Sequence, residues 1–209
     1  MQLIEIDLVK LQPPQAAFNA ALQFQQQHPQ GSLSWQLEDH NIRFAEVGCD
    51  CWIKVGSVPD ASLIVEPLGQ VERMIVASPK LLEAYGSPQS PAALEELPGV
   101  ALEPFEGGQI PLTHPKGETV AISPSIRMST NNIFALRQAT LAGLGLSVMP
   151  RWFIEDDLKN QRLIDLLPEW RAPKLTINVA SLPGRHQPRR LRSFLKSLRT
   201  AVPKIPGVE

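Results

Sequence analysis

The sequence has 209 residues, a formal net charge of −1 and 43% hydrophobic residues, which is typical of a globular chain and excludes a disordered or collagen-like one. No apolar run approaches the roughly 18 to 20 residues of a membrane span, and Glu5 and Asp7 interrupt what would be the apolar part of a secretion signal. We therefore expect a cytoplasmic protein with no membrane partner, built as one large domain or two small lobes.

Apolar spacing, proline and glycine divide the chain into short elements. Before residue 63 we predict, in chain order, a strand over 3–9, a helix from Pro13-Pro14 to His28, a strand over 33–37, a short helix over 41–47 and a strand over 49–55. An extended passage over 63–77 comes next, and two short helices then open at Pro79 and Pro91.

The second half of the chain also alternates between predicted strands and predicted helices. Several short strands over 100–126 precede a helix that the N-cap cluster Ser129-Thr130-Asn131 opens and Gly143 closes as a left-handed C-cap. The remaining elements are a strand over 144–148, a helix over 152–158, extended residues 163–167, a strand over 175–179 and a last helix from Pro188 with Leu191, Phe194, Leu195 and Leu198 on its apolar face. We expect an α/β fold with mostly parallel sheets, the strand-rich middle forming a second lobe inserted into the first.

The two cysteines, Cys49 and Cys51, form one C-x-C in a predicted strand. Residues two apart in a strand point to the same face, and a bridge between them needs unusual backbone geometry. The four histidines are scattered, and a zinc site needs about four ligands. We predict two reduced strand residues and no cofactor, with redox sensing as the alternative.

No residue set supports a catalytic mechanism, so we predict that the chain is not an enzyme. Gly143-Leu144-Gly145 follows a helix and leads into a strand, the reverse of a dinucleotide-binding fingerprint, and is interpreted as a cap with a tight turn. Asp156-Asp157 follows Glu155 on what the pattern indicates is a solvated helix end.

Charge is unevenly distributed near the C-terminus. No acidic residue occurs between Glu169 and Glu209, and the basic residues in between are Arg171, Lys174, Arg185, Arg189, Arg190, Arg192, Lys196, Arg199 and Lys204. A solvated outer face of the last helix is the simpler interpretation, and contact with a partner or a DNA backbone is the alternative.

Two predicted helices begin directly after strands, one behind Leu11-Gln12-Pro13-Pro14 and one behind Ser129-Thr130-Asn131. Free backbone N–H groups and the helix dipole favour an anion such as a carboxylate at such positions, and ligands bind at the carboxyl ends of strands in open α/β sheets. Caps that only finish the two helices remain an equal alternative.

Three blocks, in this order and spacing, resemble the effector-binding domain of LysR-type transcriptional regulators, and the resemblance covers essentially the whole chain. They are Gly48–Gly56 (GCDCWIKVG) with Pro59–Leu63 (PDASL), Val76–Gly86 (VASPKLLEAYG), and Asn131–Pro150, which ends in AGLGLSVMP and is followed by Leu163–Pro168.

The resemblance implies a two-lobed periplasmic-binding-protein-like (type 2) fold with two crossover strands. Residues 1–68 and 151–209 would form lobe one and residues 69–150 lobe two. It also implies a small effector, often a carboxylate, bound between the lobes, and assembly as a homodimer or tetramer. The family's N-terminal winged helix-turn-helix is absent from this chain, so DNA would be reached only through that missing domain.

For the effector site we nominate residues that lie at the predicted strand ends and helix starts: Lys10, Gln12, Pro13, His40, Gly56, Ser57, Thr130, Asn131 and Met149. Two departures from the family bear on this site. Lys10-Leu11-Gln12 replaces small hydroxyl residues, and Lys10 would favour an acidic ligand there, with a side chain that points out to solvent as an equal alternative. Trp52 replaces a small residue, which would fill or alter the cleft.

Two alternatives to an effector sensor stay open. The same fold can serve as an enzyme or a solute receptor, because fold does not fix function. The chain can also be a ligand-free oligomerisation module, in which the helices that begin at Pro14 and Asn131 pack across a dimer, as the resemblance implies.

Overall fold

The structure is a computed structural model, and it describes residues 3–9, 15–38, 48–103, 108–183, 188–205 and 207–208. The chain divides into two compact units, unit 1 with Met1–Val71 and Leu175–Glu209, and unit 2 with Glu72–Lys174. The predicted helix over 41–47 lies outside the described residues. Within the described ranges, no helix has the length and apolar character to cross a membrane.

Strands and helices alternate along the described chain, so the α/β prediction is confirmed. The strands are β1 (Leu3–Val9), β2 (Ser32–Glu38), β3 (Cys51–Val55), β4 (Ile64–Ala77), β5 (Gly99–Leu102), β6 (Ile110–Thr113), β7 (Thr119–Ile122), β8 (Ile126–Thr130), β9 (Ser147–Pro150), β10 (Ile164–Asp165) and β11 (Ala172–Ser181). The helices are α1 (Gln15–Gln27), α2 (Pro79–Tyr85), α3 (Pro91–Leu94), α4 (Ile133–Leu141), α5 (Arg151–Lys159) and α6 (Arg189–Ala201), which a 3₁₀ turn (Val202–Lys204) follows.

Unit 1 contains a mixed sheet. β1 pairs in parallel with β2 on one side and β3 on the other, and β11 pairs antiparallel with β3. β4 carries the chain out of unit 1 and β11 brings it back. The expectation of mostly parallel sheets is therefore wrong, because the returning strand enters the sheet from the opposite direction.

Helices α1 and α6 pack together beside this sheet. The ring centroids of Phe24 and Phe194 lie 5.4 Å apart in an edge-to-face arrangement, which is favourable for aromatic pairs. The apolar face predicted for the last helix is confirmed, since its four members Leu191, Phe194, Leu195 and Leu198 are all buried. Burial of this face, rather than helix propensity, holds α6 in place.

In unit 2, the last four residues of β4 are buried on both faces of the sheet. Ile75 and Ala77 join a core with residues of α2, α3, β6 and β7. Met74 and Val76 point the other way into a second core with residues of α4 and α5. β9 and β10 both pair antiparallel with this part of β4, β5 and β8 form a parallel pair, and β6 and β7 form a hairpin.

Residues 151–174 pack within unit 2, whereas the expectation from the sequence puts them in lobe one. Ile154 of α5 and Leu163 are buried in the core that contains Met74, and β10 pairs with the end of β4. Apolar contact with β4 therefore keeps this segment in unit 2, and the chain returns to unit 1 within β11.

The turn between α4 and β9 has the cap and tight turn expected of Gly143-Leu144-Gly145. Gly143 has a left-handed φ of 83°, a conformation that glycine adopts without cost. Gly145 lies against the chain before β5, where an added Cβ would come within 2.7 Å of the Pro98 carbonyl oxygen. Leu146 N–H donates to that same oxygen at 2.8 Å, so the turn is bonded to β5.

A buried carboxylate connects α4 to α5. The Asp157 side chain is 1% exposed, and it accepts from Arg137 Nη2 at 2.8 Å and from Arg162 Nη2 at 2.7 Å. The interpretation of Asp156-Asp157 as a solvated pair is correct for exposed Asp156 and wrong for Asp157. Asp157 faces inward because Arg137, 20 residues earlier, supplies a partner from α4.

We predict that Gly145→Ala lowers the free energy of unfolding by about 1–3 kcal/mol, because the new methyl group overlaps backbone atoms that cannot rotate away. Urea denaturation measures the change. Gly31→Ala is the matched control, since its Cβ would meet its neighbours at 3.4 Å, an ordinary contact. Equal effects of the two substitutions would contradict the packing argument.

We predict that Asp157→Asn destabilises the chain by roughly 2–3 kcal/mol, because it leaves the guanidinium groups of Arg137 and Arg162 without their shared anion. The value is below that for a fully buried pair, since Arg162 is 53% exposed. Asp156→Asn changes the same charge next to it and should stay within about 0.5 kcal/mol. Chemical denaturation of both variants decides whether burial sets the difference.

Candidate functional site

The start of α4 lies at the carboxyl end of a parallel strand pair in unit 2. β8 ends at Thr130, in register with Leu102 of β5, and α4 begins three residues later. The N-cap is Asn132, whose Oδ1 accepts from the backbone N–H of Phe134 at 2.9 Å and of Ala135 at 3.1 Å. The predicted cap cluster Ser129-Thr130-Asn131 is corrected to this residue, because β8 extends through Thr130.

Thr130 and Asn131 keep hydrogen-bonding capacity at this edge. Thr130 Oγ1 accepts from Asn132 N–H at 3.1 Å, which leaves its hydroxyl hydrogen available. The exposed side chain of Asn131 forms no hydrogen bond within the described part of the chain. These two nominated residues therefore stand together as donors beside the positive end of the helix dipole.

Helix α4 is fixed at its other end. The buried hydroxyl of Thr140 donates to Leu136 O at 2.8 Å and lies 2.9 Å from Ser147 Oγ of β9. The ion pair from Arg137 to Asp157 holds the middle of the helix. The position of its N-terminus is thus set by contacts within unit 2 before any ligand arrives, which lowers the ordering cost of binding.

In unit 1, the nominated residues Gly56 and Ser57 follow β3. Gly56 has a φ of 95°, donates its N–H to Thr176 O at 2.8 Å and accepts from Asn178 Nδ2 at 2.8 Å. Both of its backbone polar groups are engaged, so its contribution is the turn that presents exposed Ser57. The register of Val9 with Lys54 places this turn at the carboxyl edge that β1 and β3 share.

Lys54 is a residue that the sequence reasoning does not nominate. Its side chain is 8% exposed, and Nζ lies 4.8 Å from the centroid of the Trp52 ring, within the range of cation–π attraction. A lone lysine inside the apolar strand CWIKV is the signal that points to it. The ammonium group of Lys54 therefore lies buried near the carboxyl edge that β1 and β3 share.

Two residues expected at the site belong to the cores of their own units. Trp52 is fully buried and packs with Cys49, Leu63 and Ala180, so it fills the core of unit 1 instead of altering a ligand surface. Met149 is fully buried among the residues around Met74 in unit 2. The other nominated residues, Lys10, Gln12, Pro13 and His40, lie outside the described residues.

Burial limits the reactivity of the cysteines, and most strongly that of Cys51. Cys49 and Cys51 are both buried and form no disulfide, and burial raises the pKa of Cys51 well above its usual range, which disfavours the reactive thiolate. Among the described residues, no group of three or more histidine, cysteine or acidic side chains could hold a metal ion. The arrangement is suited to hydrogen bonding and charge recognition.

Two similar proteins are HTH-type transcriptional regulators. An uncharacterized regulator, YhjC of Escherichia coli (strain K12), is 31% identical over 178 residues, which cover 82% of this chain and 58% of that protein. A second uncharacterized regulator, from Haemophilus influenzae, is 28% identical over 171 residues, 79% of this chain and 57% of that protein. The chain thus spans less than two thirds of the length of either relative.

Two solved structures share the fold. The regulatory domain of AphB from Vibrio vulnificus has a TM-score of 0.79 at 24% identity and covers 95% of this chain and 100% of that one. The regulatory domain of CrgA, a LysR-type transcriptional regulator from Neisseria meningitidis, has a TM-score of 0.79 at 24% identity, with coverage of 96% and 98%. These proteins are named as regulators, not as enzymes, in agreement with the prediction from the sequence.

The family described as the LysR substrate binding domain matches residues 13–203, which is most of the chain. The resemblance carried by the three sequence blocks and the expected periplasmic-binding-protein-like fold are both confirmed by this match and by the shared fold of the regulatory domains. The chain belongs to the LysR substrate-binding domain family, the effector-binding domains of LysR-type transcriptional regulators.

Proposed function

We propose that this chain senses a small anionic effector, such as a carboxylate, for a regulator that acts on DNA. The observation that carries the proposal is the start of α4, where Thr130 and Asn131 present donors at the carboxyl end of the parallel pair β5–β8. Anions bind at helix N-termini because N–H groups and the dipole point at them. The sequence-based expectation of a site between the lobes stays a prediction.

Each residue has a distinct role in the proposed site. The Thr130 hydroxyl and the Asn131 amide donate to the effector's carboxylate, whereas Ser57 stays a contact predicted from the sequence. Lys10, Gln12, Pro13 and His40 remain predicted contacts, Gly56 shapes the turn, and Met149 supports the site from the core.

The proposed mechanism is a shift between two conformational populations. An effector that binds one arrangement of the domain better than another raises the population of that arrangement by its differential affinity. The parent regulator would transmit the change in the cytoplasm to DNA through a winged helix-turn-helix. Membership of the LysR substrate-binding domain family supports both the conformational shift and its transmission to DNA.

Assembly as a homodimer or tetramer is part of the same proposal, and it is also the basis of the alternative, a ligand-free oligomerisation module. Leu22 on α1 is 46% exposed and Phe134 on α4 is 40% exposed, so both helices identified for dimer packing carry large apolar groups at their surface. Such groups are typical of the buried centre of protein–protein interfaces.

A thermal-shift screen against small organic acids tests effector binding. We expect at least one acid to raise the unfolding temperature, since a ligand that binds only the folded state stabilises it by about 2.7 kcal/mol at 100 times its Kd. The matching primary amides, which lack the negative charge, should stabilise less. An acid series without any shift would contradict the sensor and favour the ligand-free alternative.

Calorimetry with an acid found in this way tests the residues. We predict that Thr130→Ala and Asn131→Ala each weaken binding about tenfold or more, since a hydrogen bond to a charged group contributes roughly 1.5–3 kcal/mol. Ser129→Ala removes a neighbouring exposed hydroxyl and should leave the affinity unchanged. Equal affinities of all four proteins would remove Thr130 and Asn131 from the site.

Light scattering measures the proposed assembly. We expect the wild-type chain to have a dimer mass or more, and Leu22→Glu or Phe134→Glu to shift it toward the monomer, because a buried unpaired charge opposes association. Ile64→Glu introduces the same charge at another exposed apolar position and serves as the control. A wild-type monomer at high concentration would contradict the oligomer.

A further inference from the structure

The outer face of α6 carries a row of cations that the proposed function does not use. Arg189, Arg192 and Lys196 are exposed and stand at positions i, i+3 and i+7, so they share one side of the helix. This side is opposite the buried residues Leu191, Phe194, Leu195 and Leu198. We refer to Arg189, Arg192 and Lys196 as the basic face of α6.

The basic face of α6 has no acidic neighbours along the chain, because the sequence contains no Asp or Glu between Glu169 and Glu209. Two neighbouring arginines on α6 are excluded from it because they are engaged elsewhere. Arg199 donates Nη2 to Glu66 at 2.6 Å, and Arg190 lies against the turn at Gly31.

Helix stability does not account for the position of these cations. Arg189 and Arg192 lie in the first turn of α6, which contains no acidic residue. The N-terminal end of a helix carries a partial positive charge, so cations there are unfavourable and acids are preferred. A solvated surface selected only for stability would carry the opposite charge at this end. An anion that approaches the first turn would be attracted by the side chains and by the dipole together.

We propose that the basic face of α6 contacts the phosphate backbone of double-stranded DNA, without reading its sequence. Arg189 and Lys196 are about 10 Å apart along the helix axis, at 1.5 Å per residue. DNA presents one phosphate per roughly 3.4 Å on each strand, so three cations match about three phosphates. The exposed hydroxyl of Ser193 lies on the same side, and such a group also donates to phosphates.

An acidic protein is the less suitable partner. The basic face includes no aromatic or aliphatic side chain, whereas the centre of a protein–protein interface is depleted in charge and enriched in such groups. This contact is independent of the effector site, and it gives the domain its own weak attachment to DNA beside that of the proposed winged helix-turn-helix.

The test measures binding of the 209-residue chain to a fluorescein-labelled 30-base-pair duplex of random sequence, by anisotropy at several salt concentrations. We expect the logarithm of the binding constant to fall against log salt with a slope of about −2.7, or −0.9 for each of three phosphate contacts. In the variant R189Q/R192Q/K196Q, binding at the lowest salt should fall at least about tenfold and the slope should approach zero.

The control K80Q/K116Q/K159Q removes the same charge from exposed positions in unit 2 and should bind as the wild type does. The α6 variant should unfold at the wild-type temperature or above, since cations leave the first turn. Absence of binding at low salt, or equal loss in the control, would overturn the proposal. Displacement of the duplex by polyglutamate at equal charge concentration would overturn it in favour of an acidic protein partner.

Discussion

Burial of one strand end on both of its faces is the constraint on which unit 2 depends. Over Met74–Ala77 the side chains alternate between two apolar cores, and each core recruits its own helices. Full burial of one such large apolar side chain contributes about 1.5–3 kcal/mol, so this segment outweighs the intrinsic preferences of the short elements around it. The same strand begins in unit 1, where Ile64 and Val65 are exposed. Leu68 and Val71 of β4 are already buried in unit 1, and burial becomes continuous from Met74 onward in unit 2.

Much of the fold could be predicted from the sequence, because the residues that begin and end its helices and strands act locally. Pro79, Pro91 and Pro188 mark helix starts as predicted, and Gly143 forms the cap. The errors concern interactions between distant residues. The acidic neighbours of Asp157 predict a solvated side chain, whereas Asp157 is buried and pairs with Arg137 on another helix. Likewise, the direction of β11 depends on where the chain returns from unit 2, which no local pattern records.

The kind of position that forms the candidate site could be predicted from the sequence, but the individual residues could be predicted only in part. Strand ends that lead into helices indicate where ligands bind, and Thr130 and Asn131 lie at such an end. The N-cap is Asn132, one position after the predicted cluster. Several consecutive polar residues have side chains that can cap a helix, and the length of β8 decides which of them does so. Lys54 was not nominated, although Trp52 lies two residues away on the same face of β3. The sequence does not show that both of these side chains are buried.

The buried thiols have a practical consequence for work on this domain. Cys49 and Cys51 are shielded from solvent, and the raised pKa of Cys51 keeps it in the unreactive thiol form at neutral pH. A cysteine introduced at an exposed turn, for example at Lys116 between β6 and β7, would therefore react first with a maleimide dye. The native chain thus accepts a single fluorescent reporter without prior removal of its own cysteines.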